Sequence, residues 1–134
     1  MYQEKIVIRT EELEKPYSHV HHADTLKYFE KAREGLIVSA GLTLEELYQK
    51  DLFPVIRSIS VDYLREVVMG NYIVTCSDLQ FKGRSFYLLQ EVVDVNGKCR
   101  VRANVQMMFL SQAIKRAVKL PEDLLLAILK SVGG

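Results

Sequence analysis

A chain of 134 residues is the length of one domain, and 49% hydrophobic with 26% charged residues is a globular balance. It excludes disorder, collagen-like repeats and low-complexity sequence. Lysine plus arginine total 18 against 17 acidic residues, and a net charge of +1 is too small to hold nucleic acid or an anionic membrane through bulk charge.

Residues Glu4 to Arg9 form the first β-prone run, with Ile6 and Ile8 alternating against Lys5 and Val7. A polar, irregular stretch follows through Glu14, Lys15 and Pro16 to His22. From Thr25 the period changes. Leu26, Phe29, Ala32, Leu36, Ile37 and Ala40 share one helical face, Asp24 or Thr25 is positioned to cap the start, and Gly41 stops the helix. Thr43 and Glu46 make a capping box that opens a shorter helix to about Lys50.

Beyond Pro54, four strands are expected, at about Val55–Leu64, Tyr72–Phe81, Ser85–Val95 and Lys98–Leu110. In the last, Val101, Ala103, Val105, Met107 and Phe109 face one way and the polar residues between them the other. Asn96-Gly97 predicts a two-residue hairpin, and Lys82-Gly83 a second tight connection. Pro121-Glu122-Asp123 opens a leucine-rich C-terminal helix, with proline in its first turn and acids at its positive end. The order β, α, short α, ββββ, α predicts one α+β domain over residues 1–134, an antiparallel sheet packed on one long helix.

Cys76 and Cys99 form no CxxC pair and no disulfide framework, and the expectation for both is a small buried hydrophobe. The N-terminus lacks the apolar run of a secretory signal, and no stretch approaches a membrane span. A soluble, cytoplasmic protein is expected.

All three histidines, His19, His21 and His22, lie within four residues just before the long helix. One reading is a loop whose imidazoles pack or cap at the helix start. A metal site would need Glu14 or Asp24 as a further ligand, and the spacing matches no metal signature. The third reading is catalytic. A helix N-terminus offers free N–H groups and a positive dipole end, which suit a polarised carbonyl, and Glu11, Glu12 and Glu14 lie just upstream.

The stretch from His21 through Asp24, Phe29, Glu30 and Ala32 to Arg33 resembles the signature of the hot-dog acyl-CoA thioesterases of the 4-hydroxybenzoyl-CoA thioesterase type. That signature reads roughly D-x-x-G-x-V-x-H-x-N-Y-x-x-x-F-E-x-A-R. Val20, His22, Phe29, Glu30, Ala32 and Arg33 match it. Phe53-Pro54-Val55, Gly83-Arg84-Ser85 and Val118-Lys119-Leu120-Pro121-Glu122 stand where the family has similar segments, so the resemblance covers nearly the whole chain. It implies a five-stranded antiparallel sheet wrapped around one long central helix.

The departures lie where the chemistry should be. The family's catalytic aspartate falls on Lys15, which cannot replace a carboxylate. One extra loop residue would bring Glu14 onto that position, and Pro16-Tyr17-Ser18 in place of the usual glycine turn fits an altered loop. Asp24 and Thr25 stand where the family has N-Y, making Asp24 a second candidate carboxylate beside its N-cap role. Related polyketide-type carrier-protein thioesterases lack the aspartate and keep an arginine on the long helix, a pattern that Arg33 fits.

The resemblance implies hydrolysis of an acyl thioester of coenzyme A or of an acyl-carrier protein. Glu14 would be base or nucleophile, the His22 backbone N–H would hold the carbonyl oxygen, and the His22 side chain would orient water. No cofactor is implied beyond coenzyme A as part of the substrate. Lys82, Arg84 and Arg116 are its candidate phosphate contacts. Tyr28, Phe29, Phe86 and Tyr87 are candidates for an acyl tunnel, with ordinary core favoured for Phe29 and Phe86. A homodimer or homotetramer with sites across the interface is implied, with no nucleic-acid or membrane partner. The alternatives are a non-catalytic acyl-binding or scaffold protein that lost the carboxylate, and a hot-dog dehydratase.

Overall fold

The computed structural model describes residues 1–16 and 18–133, so Tyr17 of the loop before the histidines lies outside the described residues. Strand β1 (Tyr2–Ile8) leads through the histidine loop to helix α1 (Thr25–Ser39) and the short α2 (Leu44–Gln49). Then come β2 (Phe53–Tyr63), β3 (Gly70–Lys82), β4 (Ser85–Val93), β5 (Cys99–Ser111), β6 (Arg116–Val118) and the closing helix α3 (Glu122–Gly133). All strand pairs are antiparallel, in the order β1-β3-β4-β5-β2, with β6 on β5.

The sheet therefore has six strands, not the five expected. Three residues, Arg-Ala-Val, are too short to display an alternation that sequence could reveal. What makes β6 is the turn before it. The Asp51 carboxylate accepts hydrogen bonds from Ser111 Oγ and from the Gln112 and Ala113 N–H groups, and turns the chain back onto β5.

Helix α1 buries Thr25, Phe29, Ala32, Leu36 and Ile37; Phe29, Ala32 and Leu36 share a core with Val74, Val92, Val101 and Ala103 of the sheet, and Ile37 joins a second core with Phe86 and Phe109. Full burial of the Phe29 ring alone is worth about 2–3 kcal/mol. Leu26, expected on this face, is 39% exposed, because the stripe runs from Thr25 through Phe29 and leaves residue 26 on the flank. Gly41, at φ +84, takes the left-handed position that ends α1. Gly35 answers a different need. A Cβ there would collide with the Tyr2 hydroxyl and the Glu4 carboxylate, which are hydrogen-bonded to each other where β1 crosses the helix. The Thr43 cap is present, with Oγ1 accepting from the Glu46 N–H at 3.1 Å.

The second tight connection is present, and the turn at Asn96-Gly97 is one residue longer than expected. Lys82 pairs with Ser85, so the two-residue turn is Gly83-Arg84, with Gly83 at φ +62. At Asn96-Gly97 the Asp94 N–H donates to the Lys98 carbonyl, which leaves a three-residue loop, Val95 to Gly97. The Asp94 carboxylate draws the loop out by accepting from the Asn96 and Lys98 N–H groups. Cys76 is buried and Cys99 half-buried, both as free thiols, and burial pushes them up to about 12 and about 11.

Candidate active site

The histidine loop is built from short-range hydrogen bonds. After a 3-10 turn at Thr10–Glu12, the Glu14 N–H donates to the His19 carbonyl at 2.7 Å and the Ser18 N–H to the Glu14 carbonyl at 2.8 Å. This narrow loop sets Glu14 opposite His19. Val20 then drops into the core, and its N–H donates to the Val67 carbonyl at 2.8 Å, which ties the loop to the segment after β2. A second 3-10 turn, His22–Asp24, leads directly into α1.

At that turn the peptide joining His22 to Ala23 is held on both sides. Its carbonyl accepts from Thr25 Oγ1 at 2.7 Å and from the Tyr63 hydroxyl at 2.8 Å. Its N–H donates to His21 Nδ1 at 3.1 Å, so His21 and not Asp24 supplies the side-chain cap. Asp24 occupies the N-cap position of α1 without a capping bond, and instead pairs with Lys27 at 3.3 Å. The preceding peptide is fixed as well, since the His21 carbonyl accepts from the Asp24 N–H at 2.9 Å. Among the described residues, the N–H of His22 itself has no hydrogen-bond acceptor.

Glu14, His22, Thr25, Tyr63 and Arg65 line one open cleft of about 390 Å³, floored by Val20, Val67 and Val101. Glu14 is half-buried there, whereas Lys15 beside it is solvent-exposed. The cleft thus brings together a carboxylate, an imidazole and a free backbone N–H at the positive end of a helix. That set can polarise a carbonyl and activate a water beside it.

The other candidates lie elsewhere. Asp24 is not in the lining of this cleft. Arg33 lies about two turns along α1, in a separate pocket of about 250 Å³ between α1, α2 and β2 that Tyr48, Ile56 and Met107 help to line. Its guanidinium donates to Gln90 Oε1 at 2.8 Å, and burial lowers its pKa. Gln90 is fully buried and in turn donates to the Phe29 carbonyl of α1 at 3.0 Å and towards Cys76 Sγ at 3.3 Å. Lys82 and Arg84 stand at the β3–β4 hairpin, where Ser85 pairs with Met108, whereas the cleft is at the Val101 end of β5. Seven residues of strand separate the two ends, about 23 Å. Arg116 on β6 pairs with Ser111, further from the cleft still.

Phe29 and Phe86 are core residues. Tyr87 lies on the outer face of the sheet under the Lys82 ammonium, and Tyr28 donates to Glu12 Oε2 at 3.2 Å. Tyr28 is pushed up to about 12, by burial first and then by the Glu12 charge. Tyr63, Thr25 and Arg65 join the site without having stood out in the sequence. Only the return of β2 to the start of α1 brings Tyr63 there, across 41 residues of chain.

Residues 8–128 match the family model of the thioesterase-like superfamily. The chain belongs to that superfamily. Thioester hydrolysis is the activity class of this thioesterase-like domain, and its architecture is the hot-dog fold. A protein from Staphylococcus aureus, solved in complex with CoA, superposes with a TM-score of 0.88 at 20% identity, over 98% of this chain and 84% of that one. A probable thioesterase from Escherichia coli gives 0.82 at 24% identity, over 98% and 99% of the two chains. A 1,4-dihydroxy-2-naphthoyl-CoA thioesterase from Synechocystis gives 0.84 at 16% identity, over 95% and 94%. No curated protein sequence matches this thioesterase-like domain significantly. None of its described helices is long and apolar enough to cross a membrane.

Proposed function

We propose that this thioesterase-like domain hydrolyses acyl-CoA, releasing a carboxylic acid and the free thiol of coenzyme A. The observation that carries the proposal is the shared cleft of Glu14 and His22, with a His22 N–H at the helix start that has no acceptor among the described residues. The thioester oxygen accepts from that N–H, which strengthens as charge develops on it in the tetrahedral intermediate. Glu14 takes a proton from a water that attacks the carbonyl carbon, and the His22 imidazole orients that water. Collapse of the intermediate expels a thiolate, a good leaving group because an ordinary thiol has a pKa of about 8.5. Glu14 fills the role of the family aspartate, while exposed Lys15 takes no part.

The active unit is a homodimer formed through β2. This strand is a sheet edge, with Ile56 and Tyr63 exposed along it and Leu64 exposed just beyond, and an unpaired edge of that kind recruits a partner strand. Antiparallel pairing of two β2 strands sets the Phe53 end of one beside the Tyr63 end of the other. Lys82 and Arg84 of one subunit then approach the cleft of its partner, within reach of the coenzyme A phosphates, and the Arg33–Tyr48 pocket adjoins the same cleft. An acyl-carrier protein would present the same thioester without the nucleotide.

A panel of short, long and aromatic acyl-CoA esters, read with a thiol reagent, tests the activity. Thiol release from at least one is expected. No release from any of them, or from matching carrier-protein thioesters, would return the protein to the non-catalytic acyl-binding alternative. Light scattering should give twice the chain mass or more, and a monomer at micromolar concentration would refute the paired edge.

A further inference from the structure

We propose that Tyr63 is a positioning residue for the catalytic turn: from the end of β2 its hydroxyl ties the His22–Ala23 peptide to the sheet, and so sets where the turn that carries His22 stands. The inference rests on the thioesterase reading above for its kinetic consequence, but its structural part stands alone.

Of the groups that hold this peptide, His21 and Thr25 are neighbours in the chain, and bonds that local move with the turn as a unit. Tyr63 is the one from another element. It is the last residue of β2 and pairs with Val101 of β5, so its backbone belongs to the sheet. Its 2.8 Å bond to the His22 carbonyl therefore sets the turn relative to the sheet, not relative to itself. The ring contributes as well, meeting the His22 imidazole edge-on, with centroids 6.1 Å apart and planes at 87°.

Folding does not need this bond. The His22 carbonyl already has a partner in Thr25 Oγ1, and Tyr63 is 48% exposed in the single subunit, so loss of its hydroxyl leaves no buried group unpaired within the chain. An exposed aromatic gains little stability from a second hydrogen bond to a satisfied carbonyl. Its effect is geometric. With the His21 carbonyl tied to the Asp24 N–H and the next peptide tied to Tyr63, residue 22, which lines the cleft, sits between two fixed planes. A donor prepared in this way pays no reorganisation when charge develops on the thioester oxygen.

Tyr63→Phe removes the hydroxyl and keeps the ring. With an acyl-CoA ester that the wild type cleaves, kcat should fall about fivefold to tenfold, as expected for one hydrogen bond of about 1 kcal/mol. KM should stay within about twofold and the unfolding midpoint within about 2 °C, since neither binding nor packing is lost. In the same variant, amide exchange at Ala23 should speed up while exchange in the core of β5 does not change. An unchanged kcat overturns the proposal. So does a fall in kcat that comes with a lowered midpoint and faster exchange everywhere, which marks a structural role only. If the wild type cleaves no thioester, the reading of the site fails by itself. The Ala23 exchange then decides the clamp, and an unchanged rate in Tyr63→Phe refutes it.

Discussion

At the start of α1, side chains exposed to solvent to differing degrees hold the His22 turn, whereas about two turns further along a fully buried amide, Gln90, holds the body of the same helix to the sheet. Both regions are hydrogen-bonded networks on one helix, and they differ in what surrounds them. Around His22, water is an alternative partner for the imidazoles and the Tyr63 hydroxyl, though not for buried Thr25, so losing one of those bonds costs geometry more than stability. Gln90 is fully buried, and its loss removes the protein partner of the half-buried Arg33 guanidinium and a tie from the sheet to the Phe29 carbonyl. The first region is therefore expected to control turnover and the second to control folding.

The largest effect expected is at the exposed end. Glu14→Gln keeps size and hydrogen-bonding capacity but removes the base, and should lower kcat about 10²-fold or more with an unchanged unfolding midpoint. Lys15→Ala, one residue away but exposed, should cost less than about tenfold. Full activity in Glu14→Gln together with its loss in Asp24→Asn would move the base onto the helix and break the comparison at its root.

At the buried end the order reverses. Gln90→Leu should destabilise the fold by about 2–3 kcal/mol, seen as a midpoint lowered by roughly 5–10 °C in a thermal melt. Below that midpoint, its kcat with acyl-CoA should change less than that of Glu14→Gln. His22→Ala sharpens the contrast from the other side. It should lower kcat less than Glu14→Gln, because its backbone N–H survives when the imidazole is lost, and circular dichroism should give a near wild-type melt for this exposed residue.

The smallest effect is in alkali. Burial raises Cys76 from an ordinary value of 9.0 to about 12, and raises Tyr28 from 10.0 to about 12 with help from Glu12. The folded protein thus holds these protons more tightly than the unfolded chain. Their contribution is fully present below the unfolded values and is lost as pH rises towards the folded ones. Chemical denaturation should accordingly show stability declining from about pH 9 upward. In Cys76→Ala the decline should be shallower, because Cys99, pushed up to about 11, and the tyrosines still contribute. An identical slope in both proteins would show that the Cys76 environment is less protected than the contacts around Gln90 require.

Local periodicity made much of the fold legible. Alternation in β5, the 3.6-residue stripe of Phe29, Ala32 and Leu36, the stop at Gly41 and the cap at Thr43 are each decided within a few residues. Three features were not legible, each for a physical reason. Strand β6 depends on a carboxylate sixty residues upstream in the chain, Asp51, folding the turn after Ser111. The loop at Asn96-Gly97 lengthens because Asp94 competes for its N–H groups. Leu26 is apolar, but the stripe that meets the sheet passes it by.

For the site, the sequence alone determined that histidines and acids cluster before a helix N-terminus, because their spacing along the chain is covalent. It also supplied Glu14 as the carboxylate to weigh against Lys15. What tertiary structure decided is which of these groups share a space. Hydrogen bonds between Glu14, Ser18 and His19 set Glu14 beside the cleft, and the antiparallel return of β2 carries Tyr63 to the His22 carbonyl. The same sheet carries Arg33 to Gln90 and leaves Lys82 and Arg84 at its far end. Proximity across 41 residues of chain is set by strand register and helix packing, and no pattern in the local sequence encodes it.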